Sequence, residues 1–352
     1  MKIIGCDYHP SYQQIAMVDQ ESGELWEGRL EHEKGEARRF YEALVGQSVR
    51  VGMETVGNAQ WFERMLAELG HELWIGDAAQ IRRLVVRQQK TDRRDAKHIL
   101  DLLLDGRFPR LWVPSLEIRD VRQLLRHRQK LVELRTQVKN QLQHLALNQG
   151  VQRKRRLWSK EGRAVLEQLP LQGWTARRRA ELLAMLDQLQ AQVGELTEAV
   201  RAEAEKRPEV RLLMTHPGVG PLVGLAYVLT IGPPERFPRG KQVASYLGLI
   251  PREHSSGGRQ KLGSISKQGN TMMRTLLVEA AQNAARLDAE LRRDYGRLAA
   301  RKHKALAKVM VARKLAVRMY WMLRDNKPYT QMYPQPPVAP MQGSPSHSVV
   351  AV

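Results

Sequence analysis

The spacing of apolar residues changes period several times within the first hundred positions. KIIGCDYH (2–9) and YQQIAMVD (12–19) carry β-branched and alternating residues on either side of a short turn and predict two strands, and ELWEGRLE (24–31) predicts a third. EARRFYEALVG (36–46) switches to helical spacing and SVRVGMETV (48–56) reads as a buried strand. NAQWFERMLAELG (58–70) is an amphipathic helix stopped at Gly70, and HELWIGD (71–77) is a further strand. The order is therefore three strands, helix, strand, helix, strand.

Beyond residue 115 the pattern is helical. Leu124, Leu131, Val138 and Leu145 recur every seven residues within 116–147, and Leu182, Leu186, Leu189, Val193, Leu196 and Val200 alternate steps of four and three. These seams predict coiled-coil arms, open to subunit pairing, to clamping nucleic acid or to packing within the chain. Between them VQRKRRLWSKEGR (151–163) combines a basic run with Trp158 and reads as a nucleic-acid contact or a solvated loop. LLMTHPGVGPLVGLAYVLTIG (212–232) predicts helix, Pro-Gly-Val-Gly turn and helix, a helix-hairpin-helix-like element in which Gly218 and Gly220 let backbone N–H groups approach a phosphate. A short helix follows at 241–249, a Gly/Ser/basic loop at 252–269, and long helices at 271–289 and 302–323. The Pro/Ser-rich end reads as disordered. The chain thus divides into an α/β domain (1–115), an arm (116–205), a helical domain (206–330) and a tail (331–352).

Charge sharpens this division. Residues 1–110 hold 16 Lys and Arg against 18 Asp and Glu, a net of −2; the remaining 41 basic and 19 acidic residues give 111–352 a net of +22. Such a field draws phosphate backbones and makes association salt-sensitive. One cysteine, Cys6, leaves no internal disulfide and no thiolate cluster, so a metal must be held by oxygen or histidine. The polar start and the interrupted apolar runs predict a cytoplasmic protein with no membrane segment.

Four acids stand where strand ends and a helix can bring them together. Asp7 closes one predicted strand and Glu54 another, while Asp92 and Asp95, three apart in KTDRRDA, share one helix face. Carboxylates so placed can line the oxygen-rich pocket that Mg²⁺, here two ions per site, requires for phosphoryl transfer. Seven basic residues from Arg82 to Lys97, Arg93 and Arg94 among them, would face the phosphates being cut. Cys6 and His9 beside Asp7 read as local packing or turn residues, with a histidine ligand left open. Ser255 and Ser256, in HSSGG, are turn formers by local chemistry. Arg252, Arg259, Lys261 and Lys267 make the surroundings of that loop basic.

The strand and helix order matches a ribonuclease-H-like (RuvC-like) domain, and the motifs together resemble the DEDD transposases of insertion sequences. GCD at Asp7, METVG at Glu54 and KTDRRDA at Asp92 and Asp95 carry the amino-terminal match. PGVG (217–220), ASYLGLIPR (244–252), SSGG (255–258) and SISKQGN (264–270) followed by Arg274 and Leu276 carry the other. The resemblance implies a RuvC-like catalytic domain, a coiled-coil arm and a helical transposase domain, working as homodimers that assemble into a homotetramer on donor and target double-stranded DNA. It implies pairing of a structured guide RNA, called a bridge RNA, with both DNAs. It also implies Mg²⁺ on Asp7, Glu54, Asp92 and Asp95, and strand cleavage through a covalent phosphoserine at Ser256, with Ser255 next to it as the alternative. Two other readings stay open: a metal-dependent nuclease or Holliday-junction resolvase in which water attacks, and a scaffold that binds nucleic acid without cutting it.

Overall fold

The computed structural model describes residues 1–85, 91–152, 155–255 and 261–333, in two compact units, Met1–Pro114 and Ser115–Val352. The first unit runs β1 (Lys2–Tyr8), β2 (Tyr12–Asp19), β3 (Leu25–Glu31), α1 (Glu36–Glu42), β4 (Val49–Glu54), α2 (Gln60–Glu68), β5 (Glu72–Gly76), α3 (Ala78–Arg83) and α4 (Asp92–Leu104). The sheet order is β3-β2-β1-β4-β5, antiparallel through β1, β2 and β3 and parallel from β1 to β4 to β5. That order and those directions are those of a ribonuclease-H-like sheet.

Because successive side chains leave opposite faces of a strand, β1 serves two cores. Ile4, Cys6 and Tyr8 join Ile15, Val51 and Met53 beneath Tyr41 of α1 and Phe62 of α2. Ile3 faces the other way with Ala16 and meets Ala96, Ile99, Leu100 and Leu103 of α4. Gly5 and Asp7 continue that second face. A Cβ on Gly5 would stand 2.2 Å from the Ala96 carbonyl oxygen and 2.5 Å from the Leu100 nitrogen, so only glycine lets α4 lie this close to the sheet.

The second unit opens with α5 (Leu116–Asn148), then α6 (Lys160–Glu167) and α7 (Gly173–Glu205). At about 1.5 Å per residue the two long helices each reach roughly 50 Å. Arg128 Nε donates to Thr197 Oγ1 and Arg178 Nη2 to Gln141 Oε1, both at 2.9 Å, so α5 and α7 run antiparallel. Leu131, Val138, Leu142 and Leu145 pack on Leu182, Leu186, Leu189 and Val193. The seams offered to subunit pairing thus close on each other within one chain. The segment between them contains α6, which the basic pattern had hidden: Ser159 Oγ caps it by accepting from Gly162 N at 3.2 Å.

The rest is α8 (Pro208–Met214), α9 (Pro221–Ile231), α10 (Gly240–Tyr246), β6 (Pro251–Glu253), β7 (Leu262–Ile265), α11 (Thr271–Leu287), α12 (Ala289–Arg301), α13 (Lys304–Asp325) and α14 (Tyr329–Met332). Three expectations change here. The stretch expected to be loop at 252–269 contains the β6–β7 hairpin. The helix predicted to run to 289 ends at Leu287, because Asp288 starts α12 by accepting from Leu291 N at 2.6 Å. Gln331 and Met332, expected to open the tail, belong to α14, and Tyr329 is buried with its hydroxyl donating to Asp288; the rest of the expected tail, 334–352, lies outside the described residues. Gly218 also has another use than the one expected: at φ 87° it seats the turn on α11, where a Cβ would come within 2.5 Å of Ala284 N. Among the described residues no helix is long and apolar enough to cross a membrane.

Gly5→Ala should destabilise the protein by about 1–3 kcal/mol through this backbone clash, whereas Gly57→Ala, which meets nothing within 4 Å, should change stability little. Urea unfolding checks both, and equal midpoints would show that α4 does not depend on Gly5. His216, buried in the Thr-His-Pro-Gly turn with Nδ1 donating to the Pro217 carbonyl at 2.8 Å, is lowered by burial from 6.5 to about 4. The unfolded chain takes up a proton near pH 6.5 that the folded chain refuses until about pH 4, so this contribution to stability is present above that window and is lost as pH falls through it. The stability difference between the parent and His216→Gln should therefore move against the parent by about 2–3 kcal/mol from neutral to acid pH; a difference independent of pH would mean that the folded imidazole is not held neutral.

Candidate metal centre

The acids reach one another through local rules. Thr91 caps α4, its Oγ1 accepting from Arg94 N at 3.4 Å, and this puts Asp92 and Asp95 in the first turn, where the helix dipole favours negative charge. On the sheet, Asp7 shares the face of Ile3 and Gly5 that α4 covers. The parallel register pairs Gly5 with Gly52 and Cys6 with Met53, so one step further Glu54 lies beside Asp7. Gly52 faces Leu103 of α4, and alternation gives Glu54 that same face.

The groups that meet are Asp7, His9 and Asp92, whose ligand atoms all lie within 4.8 Å of one another. His9 Nε2 stands 3.2 Å from Asp7 Oδ2 and 3.8 Å from Asp92 Oδ2. Tyr12 donates its hydroxyl to Asp92 Oδ2 at 2.7 Å and stacks on the His9 ring at 4.6 Å, and the Arg29 guanidinium lies 3.6 Å from the centre of the Tyr12 ring. Asp7 is buried, and burial pushes its carboxyl above the ordinary range; His9 pulls it back, while the charges of Asp95 and then Asp92 push it up again. Asp95 is therefore close enough to be felt, but neither it nor Glu54 joins the group whose ligand atoms meet.

Donor chemistry and electrostatics fit a divalent cation. Two carboxylates with two more acids near them form an oxygen-rich, mutually repelling set that a hard cation would relieve. His9, read as a turn or packing residue with a ligand role left open, lies within 4 Å of both carboxylates. The signal was present: Asp7 and His9 are two apart on extended chain and so share a face. Cys6 points to the opposite face, buried, its thiol donating to Gln13 Oε1 at 3.0 Å.

The basic and hydroxyl candidates are spread more widely. Arg93 is ion-paired with Glu27 of β3, and Arg94 is exposed. Ser256 and Arg259 lie outside the described residues. Ser255 is engaged at the hairpin end, donating to Glu253 Oε1 at 2.6 Å and accepting from Lys261 N at 3.2 Å. Arg252 Nη2 donates to the Ser266 carbonyl at 3.3 Å, while Lys261 and Lys267 are exposed. Behind the hairpin two turns touch backbone to backbone: a Cβ on Gly248 would come within 2.2 Å of Gln268 O, and one on Gly269 within 2.3 Å of Tyr246 O. Arg274 ties them together through the Leu247 and Gln268 carbonyls.

Comparison with known proteins agrees with both halves of this layout. A family model for DEDD transposases of the IS110 type matches residues 4–149, and one described as the transposase IS116/IS110/IS902 family matches 210–296. A probable family 20 transposase of Pseudomonas aeruginosa is 31% identical across 80% of this chain and 84% of its own length. The transposase for insertion sequence element IS1111A of Coxiella burnetii is 28% identical across 80% of this chain and 77% of its own. A transposase for element IS1328 of Yersinia enterocolitica is 26% identical across 78% and 83%. With a ribonuclease-H-like sheet under clustered acids and similarity along most of its length, the chain belongs to the IS110/IS116 family of DEDD insertion-sequence transposases, and is a DNA transposase.

Proposed function

We propose that this transposase carries out RNA-guided, site-specific recombination, cutting DNA with Mg²⁺ held by its acidic set and passing the strand through a covalent phosphoserine at Ser256. The observation that supports the metal-dependent part best is the meeting of Asp7, His9 and Asp92 on the face covered by α4. Asp7, Glu54, Asp92 and Asp95 are the ligands in this reading, with His9 beside them, and the set suits two ions. Bound divalent ions supply Lewis acidity that offsets charge on the attacking and leaving oxygens. The chain's own residues do the positioning: Tyr12 fixes one oxygen of Asp92, and burial keeps Asp7 from water.

In the cleavage step a bond forms between Ser256 Oγ and the scissile phosphorus, the bond from phosphorus to one sugar oxygen breaks, the serine proton passes to a base, and the departing oxygen takes up a proton. Rejoining reverses each change on a new strand, so the phosphodiester energy is conserved and no external energy source is needed. Ser256 and the acids belong to different units of the chain, and this route requires both at one phosphate. Arg94, Arg252, Arg259, Lys261 and Lys267 would hold phosphates, and Arg93 would do so on leaving Glu27. The +22 of residues 111–352 suits donor DNA, target DNA and a structured bridge RNA together. The antiparallel arm and the helix-hairpin-helix-like α8–α9 turn are the parts offered to these partners and to dimer and tetramer assembly.

Asp7→Asn and Asp92→Asn should each lower recombination on the order of a thousandfold, with the double variant little worse than either. Without metal they should unfold no earlier than the parent, because each removes like-charge repulsion, and added Mg²⁺ should raise the parent's melting temperature but not theirs. Recombination and Mg²⁺ stabilisation both retained in Asp92→Asn would remove this residue from the site. For the serine, a nicked suicide substrate resolved under denaturing conditions should leave an adduct that mass spectrometry maps to Ser256, and RNase-treated protein should form none. An adduct on Ser255 would move the nucleophile by one residue; full activity of Ser256→Ala without any adduct would establish attack by water.

A further inference from the structure

At the root of the arm, α5 passes α9, α10 and the start of α11, and a cavity of about 320 Å³ opens among them. Arg122, Arg126, Thr230, Tyr246, Asn270 and Met272 line it. This is the size of a small ligand site, and its chemistry is lopsided.

Arg122 Nε donates to the Leu229 carbonyl at 3.0 Å and Arg236 Nη1 to the Ile231 carbonyl at 2.7 Å, so both cap the carboxyl end of α9. That end carries about half a negative charge. Arg122 also lines the cavity, together with Arg126. Arg122 is lowered from its ordinary value first by burial and then by the charges of Arg126, Arg236 and Arg119. Arg122 and Arg126 bring two guanidinium groups to the cavity wall, and guanidinium groups in a cavity wall favour an anion. Beside the arginines stands an aromatic platform. Tyr246 is 42% exposed, its ring lies 5.3 Å from that of Phe237, and Arg236 sits 5.5 Å from it. Asn270 is fixed at the rim, its Oδ1 accepting from Met273 N at 3.1 Å and its Nδ2 donating to Thr230 Oγ1 at 3.3 Å.

We propose that this cavity takes one unpaired nucleotide of a bound strand, with its phosphate on the arginines and its base against Tyr246. Guanidinium groups suit phosphate oxygens by geometry as well as charge, and an exposed ring beside them gives a base a stacking partner. A cavity of this size admits one base but not a base pair, which separates this site from the diffuse basic surface of the arm. DNA and RNA share the phosphate and the base, so the ligand is a single-stranded nucleotide of either. The inference rests on nucleic acid being the partner, and on neither the acidic set nor Ser256.

Fluorescence anisotropy of the full chain with short labelled single strands of DNA, of RNA, and a DNA duplex of the same sequence tests it. Tyr246→Leu should weaken single strands about five- to a hundredfold and leave the duplex nearly unchanged. Arg126→Ala should reduce the salt slope for single strands by about 0.7. Both side chains are exposed, so melting temperatures should match the parent's. In the parent, a strand carrying 5-bromouracil should crosslink under ultraviolet light to the segment around Tyr246. The binding assays contain no divalent metal and involve no cleavage, so failure of the metal reading leaves this test intact. A stronger effect on RNA than on DNA would assign the nucleotide to the guide, and the reverse to a DNA strand. Equal weakening of duplex and single strands, or parent-like binding by both variants with no crosslink near Tyr246, would overturn the proposal.

Discussion

The separation between β1 and α4 is set at Gly5, where a helix backbone rests directly on a strand. Any side chain there would meet the carbonyl of Ala96 and the amide of Leu100, and interiors packed as densely as crystals have no slack to absorb it. Asp7 is two residues further along the same face, and Asp92 begins the helix so seated. The distances among Asp7, His9 and Asp92 are therefore set by a glycine that carries no chemistry of its own.

The same sheet keeps its polar and apolar tasks on opposite sides. Ile4, Cys6 and Tyr8 lie in an apolar core, whereas Ile3, Gly5 and Asp7 run from an apolar core to a charged rim along one strand. Burying a carboxylate beside two others is unfavourable unless something positive compensates. His9 and the Tyr12 hydroxyl do part of this in the chain itself. What remains uncompensated is a local cost that a cation would offset, which is how a binding site differs from a structural ion pair.

In the helical unit, comparable close contacts hold a polar region together. Gly248 and Gly269 let two turns meet backbone to backbone, and Arg274 satisfies the carbonyls so exposed. Strands β6 and β7 adjoin these turns through the Ser266 N to Ile250 O and Lys267 N to Gly248 O bonds. Deeper in, Asp288 and Arg318 form a buried pair at 3.3 Å that joins the start of α12 to α13, and Glu290 extends it from the surface. Such a pair adds little stability over an apolar substitute, but losing one partner leaves a buried charge. It fixes how these helices cross.

Period was enough to read the strands of the first unit, α1, α2, the helix carrying Asp92 and Asp95, and both long helices, because each has one face to bury; the short α3 escaped it. That acids stand at strand ends and in the first turn of a helix was legible too, since these are local facts. Parity along β1 could also have marked His9, but nothing local shows that its ring reaches Asp92. Helix α12 escaped notice because its start depends on Asp288, whose side chain is held from α13 and α14, far away in sequence. The use of Gly218 was likewise hidden, for the helix it rests on lies more than sixty residues along the chain. The arm's seams showed by themselves that two helices must be covered, but only the fold decided that they cover each other. By itself the sequence determined which of the longer segments bury a face, and that the positive charge lies in the second half. The tertiary structure decided which faces meet and how closely, because those distances depend on contacts between residues that are remote along the chain.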